Sequence, residues 1–212
     1  MPRRTGFNPE PTAPSHLWPC IFAALLLAAL GLPAICTAKD RTIDHPPVSA
    51  AVDFALTDHN GELFELRRLR GRIVLIFFGY TACPDVCPNE LTNLASVLRA
   101  LGEKQVRVQA LFISIDPQRD TPAQLKGYVD YFAPGLIGLT GSPSQIDQVA
   151  KLFNASYRRV ERKDGRYFMD HSANLYLLDE GGRPVVAVPY GLPREHILEV
   201  VKGLLAEGAE NR

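Results

Sequence analysis

The stretch Ile73-Val74-Leu75-Ile76-Phe77-Phe78-Gly79-Tyr80-Thr81-Ala82-Cys83-Pro84-Asp85-Val86-Cys87-Pro88 decides how this chain is read. Its first seven residues are an unbroken apolar run apart from Gly79. A strand with one wet face would alternate, so the run predicts a strand buried on both faces. Beyond Pro88, Leu91, Leu94, Ala95, Leu98 and Leu101 recur at helical spacing. The chain therefore passes from strand to helix through a turn that holds two cysteines four positions apart.

The pattern of strand and helix continues outward from that turn. Residues 54–57 and 63–66 flank Asp58-His59-Asn60-Gly61 and predict a hairpin. Residues 106–115 predict a second buried strand. Thr121-Pro122-Ala123-Gln124 and Ser142-Pro143-Ser144-Gln145 each read as a capping box with proline at the first helical position. A short strand at 137–140 lies between those helices, and a strand at 157–160 follows. Residues 173–178 and 185–188 predict a hairpin around Glu180-Gly181-Gly182, and a last helix spans 194–206. Strands alternating with helices give a sheet covered on both faces. A cysteine pair at a strand-to-helix junction within such a sheet predicts an α/β, thioredoxin-like domain with a central mixed sheet.

The chain has 212 residues, with 23 Lys+Arg against 23 Asp+Glu. That balance argues against nucleic acid as a partner, since phosphate neutralisation needs a basic excess. The charge is unevenly placed. Residues 11–38 contain no Asp, Glu, Lys or Arg, and residues 18–38 are mostly Leu, Ala and Ile. A bilayer core takes roughly 20 apolar residues as a helix. Arg3 and Arg4 precede the run and are expected to stay cytoplasmic. Residues 1–38 are thus expected to be an N-terminal membrane anchor or a signal peptide. Residues 39–50, with Pro46-Pro47, read as a linker and 51–208 as the exported domain. Cys20 and Cys36 fall in the apolar segment, which leaves Cys83 and Cys87 to the domain.

Positions i and i+4 share a face of a helix, so these two thiols lie within reach of each other or of one ion. A helix N-terminus favours thiolates, and both thiols are expected to be acidic. A structural disulfide is the plainest reading, but so short a loop constrains the unfolded chain little. Structural zinc and iron–sulfur clusters take four ligands. Copper(I) is the soft ion suited to two thiolates and an imidazole. The histidines available are His45 in the linker, His59 in a turn, His196 in the last helix and His171 just before a buried strand. Asp170 beside it is expected to orient the His171 ring or to stand among the groups that support the ligands.

Gly79-Tyr80-Thr81-Ala82-Cys83-Pro84-Asp85-Val86-Cys87-Pro88 closely resembles the signature of the SCO/SenC copper-binding proteins. Asp116-Pro117-Gln118-Arg119-Asp120-Thr121-Pro122, Ile137-Gly138-Leu139-Thr140-Gly141 and Asp170-His171-Ser172-Ala173 match further blocks of that family, in order. The family's usual loop carries His where this chain has Ala82, a position outside the expected ligand set. The resemblance implies a membrane-tethered thioredoxin-like domain that binds one copper, Cu(I) or Cu(II), through Cys83, Cys87 and His171. It places the domain in the periplasm or mitochondrial intermembrane space, as a single-pass inner-membrane protein or secreted after signal cleavage. The implied client is the CuA domain of cytochrome c oxidase subunit II. Other copper chaperones and thioredoxin-like reductants are the implied further partners. Relatives differ in whether they deliver copper or reduce the CuA cysteines, so two functions stand: a copper chaperone, and a thiol–disulfide oxidoreductase using Cys83 and Cys87. A peroxiredoxin is a third reading, with Tyr80 where its threonine is expected. The CxxxC spacing, in place of CxxC, favours the chaperone.

Overall fold

The computed structural model describes residues 50–210. The expected membrane segment, Cys20, Cys36, His45 and the linker up to residue 49 lie outside the described residues. In chain order the elements begin with β1 (Ala55–Asp58), β2 (Leu63–Glu65), β3 (Ile73–Gly79), α1 (Val86–Ala100), β4 (Val108–Ser114) and α2 (Pro122–Phe132). They continue with β5 (Ile137–Thr140), α3 (Pro143–Leu152), β6 (Tyr157–Glu161), β7 (Tyr167–His171), β8 (Leu175–Leu178), β9 (Pro184–Val188) and α4 (Arg194–Glu210).

Seven strands form one sheet in the order β2-β1-β5-β4-β3-β8-β9, and β6 and β7 form a separate two-stranded hairpin. β3, β4 and β5 are parallel, while β8 joins β3 antiparallel. Every residue of β3 is buried, as its unbroken apolar run predicts. Alternation along β3 sends neighbouring residues to opposite layers. Gly79 faces α1, where Cys87 lies, and the Phe112 ring on that side packs 5.4 Å from Tyr128 of α2. Phe78 faces the other layer, 5.8 Å from Phe153 at the end of α3 and 5.7 Å from Tyr176. With α4 alongside α1, the mixed sheet is covered on both faces in a thioredoxin-like arrangement.

The two helix starts read from sequence are both present, though only one is reciprocal. Ser142 Oγ accepts from Gln145 N at 3.3 Å, and Gln145 Oε1 accepts from Ser142 N at 2.9 Å. Thr121 Oγ1 accepts from Gln124 N at 3.3 Å without the return bond. The strand expected from residue 106 begins at Val108. Residues Gly102–Arg107 form a 3₁₀ segment in which Val106 is 69% exposed.

One element was not expected. Residues 167–171, read as an approach to the following strand, are β7, paired antiparallel with β6 in the register Tyr157↔His171 and Glu161↔Tyr167. Asp164-Gly165 makes the turn, with Gly165 at φ 78° and its N–H bonded to Arg162 O at 3.1 Å. Asp-Gly is a hairpin signal. It is masked here because Phe168, an apolar residue on the exposed face, breaks the apolar–polar alternation of β7. Among the described residues no helix is long and apolar enough to cross a membrane.

Candidate metal centre

The C-terminal end of β3 positions both cysteines. Ile115 N donates to Gly79 O at 2.8 Å, and Cys83 N donates to Tyr80 O at 3.2 Å. Between them the loop is pinned by Asp120, which is fully buried. Its Oδ2 accepts from Thr81 N at 3.0 Å and from Ser114 Oγ at 2.6 Å, and its Oδ1 accepts from Thr81 Oγ1 at 2.6 Å. A carboxylate tolerates burial only with such compensation.

Cys87 lies in the first turn of α1 and has no exposed surface. A Cβ at Gly79 would stand 2.9 Å from its Sγ and 2.7 Å from Phe112 Cε2. Glycine is therefore required at the end of β3 by close approach. Cys83 is half-buried, and the Cys87 N–H points at its Sγ at 3.4 Å. The N-terminus of α1 thus faces Cys83 rather than the sulfur of Cys87.

That geometry makes the two thiols unequal, where both were expected to be acidic. The hydrogen bond from the Cys87 thiol lowers the Cys83 pKa most. Burial opposes it, and His171 and the N–H groups of Asp85 and Cys87 lower it further, to about 3. The same bond to Cys83, then burial, then the Cys83 charge push the Cys87 thiol up. A single proton stays on Cys87 while Cys83 is the thiolate.

His171 ends β7 and aims its ring at the pair. Its Nδ1 lies 2.9 Å from Ser172 O, and its Nε2 lies 3.8 Å from Cys87 Sγ. A carbonyl oxygen only accepts, so Nδ1 carries the hydrogen of that bond, and Nε2 is the ring nitrogen that faces the sulfurs. Phe77 and Tyr80 wall the imidazole edge-on, with centroids 6.2 Å and 6.1 Å away. The donor atoms of Cys83, Cys87 and His171 all lie within 4.8 Å of one another. Among the described residues this is the one His/Cys/Asp/Glu group that converges so. His59 accepts from Gly138 N at 3.0 Å through Nδ1, a structural role, and His196 sits in the first turn of α4. Asp170 does not orient the ring as expected. It points outward and pairs with Arg158 at 2.8 Å, and the Ser172 carbonyl takes its place.

Asp116, Arg119 and Asp120 lie in a block that matches the family, and the sequence alone assigns them no task. The signal was their position, charged residues directly after the apolar run of β4, where ligand sites form beyond the carboxyl ends of parallel strands. Ala82 is exposed at the loop surface.

A strand–cysteine-turn–helix unit in a mixed sheet, with a histidine brought back over the sulfurs, defines a thioredoxin-like protein with a Cys–Cys–His donor set. The chain matches SCO1/SenC over residues 44–206 and belongs to that family. A SCO2-like protein of Rickettsia felis is 38% identical over 183 residues, covering 85% of this chain and 89% of the relative. The structure of Bradyrhizobium japonicum ScoI with copper bound is similar at 43% identity and a TM-score of 0.68, covering 74% of this chain and 99% of that one. BsSco, described as having a disulfide switch and as a member of the Sco family of cytochrome c oxidase assembly proteins, is 25% identical with a TM-score of 0.60, covering 74% and 95%.

The inequality of the thiols has a direct chemical readout. Sub-stoichiometric iodoacetamide is expected to alkylate Cys83 in the large majority of molecules, measured by peptide mapping. An ordinary thiol, with a pKa near about 8.5, loses rate as pH falls below that value. Cys83 is expected to hold its rate through the mildly acidic range. Labelling that begins at Cys87, or a rate that falls steeply below neutrality, contradicts the assignment.

Proposed function

We propose that this chain is a copper chaperone that holds one copper ion as cargo through Cys83 Sγ, Cys87 Sγ and His171 Nε2. The single observation that carries the reading is the convergence of two sulfurs and one imidazole nitrogen within 4.8 Å. Two thiolates and an imidazole are a soft set, suited to copper(I). Structural zinc takes four ligands, and three are grouped here. The half-exposed Cys83 leaves one side of the group open to a partner, as ligand exchange demands. Copper in the ScoI structure and the oxidase-assembly role described for BsSco support the same reading. The client is then the CuA centre of cytochrome c oxidase subunit II, with copper received from another chaperone.

The unequal thiols favour a second reading, a thiol–disulfide oxidoreductase. The Cys83 thiolate attacks a partner disulfide and forms a mixed disulfide, releasing one partner thiolate. Cys87 then attacks Cys83 of the mixed disulfide and releases the second partner thiol. Two electrons pass to the partner, and a Cys83–Cys87 disulfide remains for a thioredoxin-like reductant to reduce.

Anaerobic Cu(I) titration against a competing chelator tests the first reading. One copper per chain is expected, with binding abolished in the Cys83→Ser, Cys87→Ser double variant. Unchanged affinity in that variant overturns it. His171→Ala separates the two readings. The expected result is at least about 10–100-fold weaker copper binding, the loss typical even of a ligand's supporting partner, with disulfide exchange retained. Normal oxidase activity in cells that carry only a copper-free His171→Ala form favours the oxidoreductase.

The apolar run at 18–38 supports tethering of the domain to the inner membrane, facing the periplasm or intermembrane space. Carbonate extraction is expected to leave the protein in the membrane pellet. Release with a new N-terminus near Lys39 shows instead a cleaved signal peptide.

A further inference from the structure

His171 reaches the cysteines on a hairpin that is not part of the main sheet: β6 and β7 pair only with each other. A lone two-stranded hairpin is marginal in water. The position of the imidazole therefore depends on what ties the hairpin to the body of the protein.

Met169 of β7 is buried in the core, and the polar ties converge on Tyr167, the first residue of β7, chiefly from the segment after β4. The Arg119 guanidinium lies 3.8 Å from the Tyr167 ring centroid, and that of Arg159 lies 3.7 Å from it. Two guanidiniums this close to one centroid must occupy opposite faces of the ring. Arg119 Nη1 also donates to Tyr167 O at 3.2 Å. Arg119 Nε pairs with the buried Asp116, whose Oδ1 accepts from Tyr167 OH at 3.0 Å. Gln118 Oε1 accepts from Arg159 Nη1 at 3.1 Å. At the other end of the hairpin, Tyr157 OH donates to Asp147.

Arg119 has a second route to the imidazole. Its guanidinium lies 5.6 Å from the centroid of Tyr80, the ring that packs edge-on against His171. A guanidinium over partly desolvated aromatic faces, with its charge matched by a carboxylate, makes a stronger contact than an exposed pair. Lysine cannot reproduce the planar fork that stacks on Tyr167, pairs with Asp116 and donates to a carbonyl together.

We infer that Arg119 is a positioning residue for His171: it clamps β7 through Tyr167 and braces Tyr80, and so holds the imidazole over Cys83 and Cys87. This rests on the copper reading for its consequence, weaker cargo binding, but not for its geometry.

A double-mutant cycle on the full chain, with Cu(I) alone as the probe, tests the consequence. Arg119→Met is expected to weaken Cu(I) binding by about 10–100-fold, as the loss of an orienting partner does. It is expected to add nothing further in the His171→Ala background. Arg119→Lys serves as the milder variant where Arg119→Met does not fold, and it is expected to show a smaller, equally non-additive loss. The geometry is read separately by NMR on the metal-free protein. Nuclear Overhauser contacts between the His171 ring and the rings of Tyr80 and Phe77 are expected in the parent chain and lost in the Arg119 variant. Additive losses of affinity, or ring contacts that persist in a folded variant, overturn the inference. Unchanged Cu(I) affinity in His171→Ala refutes the ligand assignment instead, and the ring contacts still decide the role of Arg119.

Discussion

Cys87 is seated where a side chain on Gly79 would otherwise stand, 2.9 Å from the position of the missing Cβ. That close approach sets the rest of the centre. It drives one sulfur into the sheet at the end of β3, where it loses solvent and keeps its proton. It also leaves the N-terminal N–H groups of α1 to serve Cys83, which sits at the edge with a negative charge. The result is a pair with one buried and one accessible sulfur, built from a helix dipole, a glycine and the end of a buried strand.

The third donor arrives by a different construction. Asp120 fixes the cysteine loop by spending its carboxylate on Thr81 and Ser114, and Asp116 and Arg119 fix the hairpin through Tyr167. One short segment after β4 therefore grips both halves of the centre. The hydrogen bond from His171 Nδ1 to Ser172 O turns the ring so that Nε2 meets the sulfurs. A carbonyl partner on one ring nitrogen fixes the direction in which the other points.

The sheet, its flanking helices and the cysteine turn were legible because each rests on a local rule. The unbroken run of β3 announces burial on both faces, and Ser142 and Thr121 announce helix starts. The three donors were named from motif blocks, and the fold brings all three together. What escaped was non-local. The hairpin of β6 and β7 buries only part of its surface, and the exposed apolar Phe168 blurs its alternation. Asp170 was expected to act on its neighbour His171, but consecutive strand residues point to opposite faces, and it meets Arg158 instead. The inequality of Cys83 and Cys87 was hidden because spacing alone does not say which sulfur the helix N-terminus faces. The task of Arg119 was hidden because its partner, Tyr167, lies far along the chain.

A family of SCO1/SenC proteins and a centre of two sulfurs and one nitrogen meet in one account: a small domain that carries a soft metal ion on an accessible edge. The measurement closest to its centre is X-ray absorption at the copper edge on the metal-loaded protein, alongside the same spectrum for His171→Ala. The account predicts two sulfurs and one imidazole nitrogen around a single copper, with the nitrogen contribution lost in the variant. A copper site without sulfur, or a nitrogen contribution unchanged when His171 is removed, would contradict it.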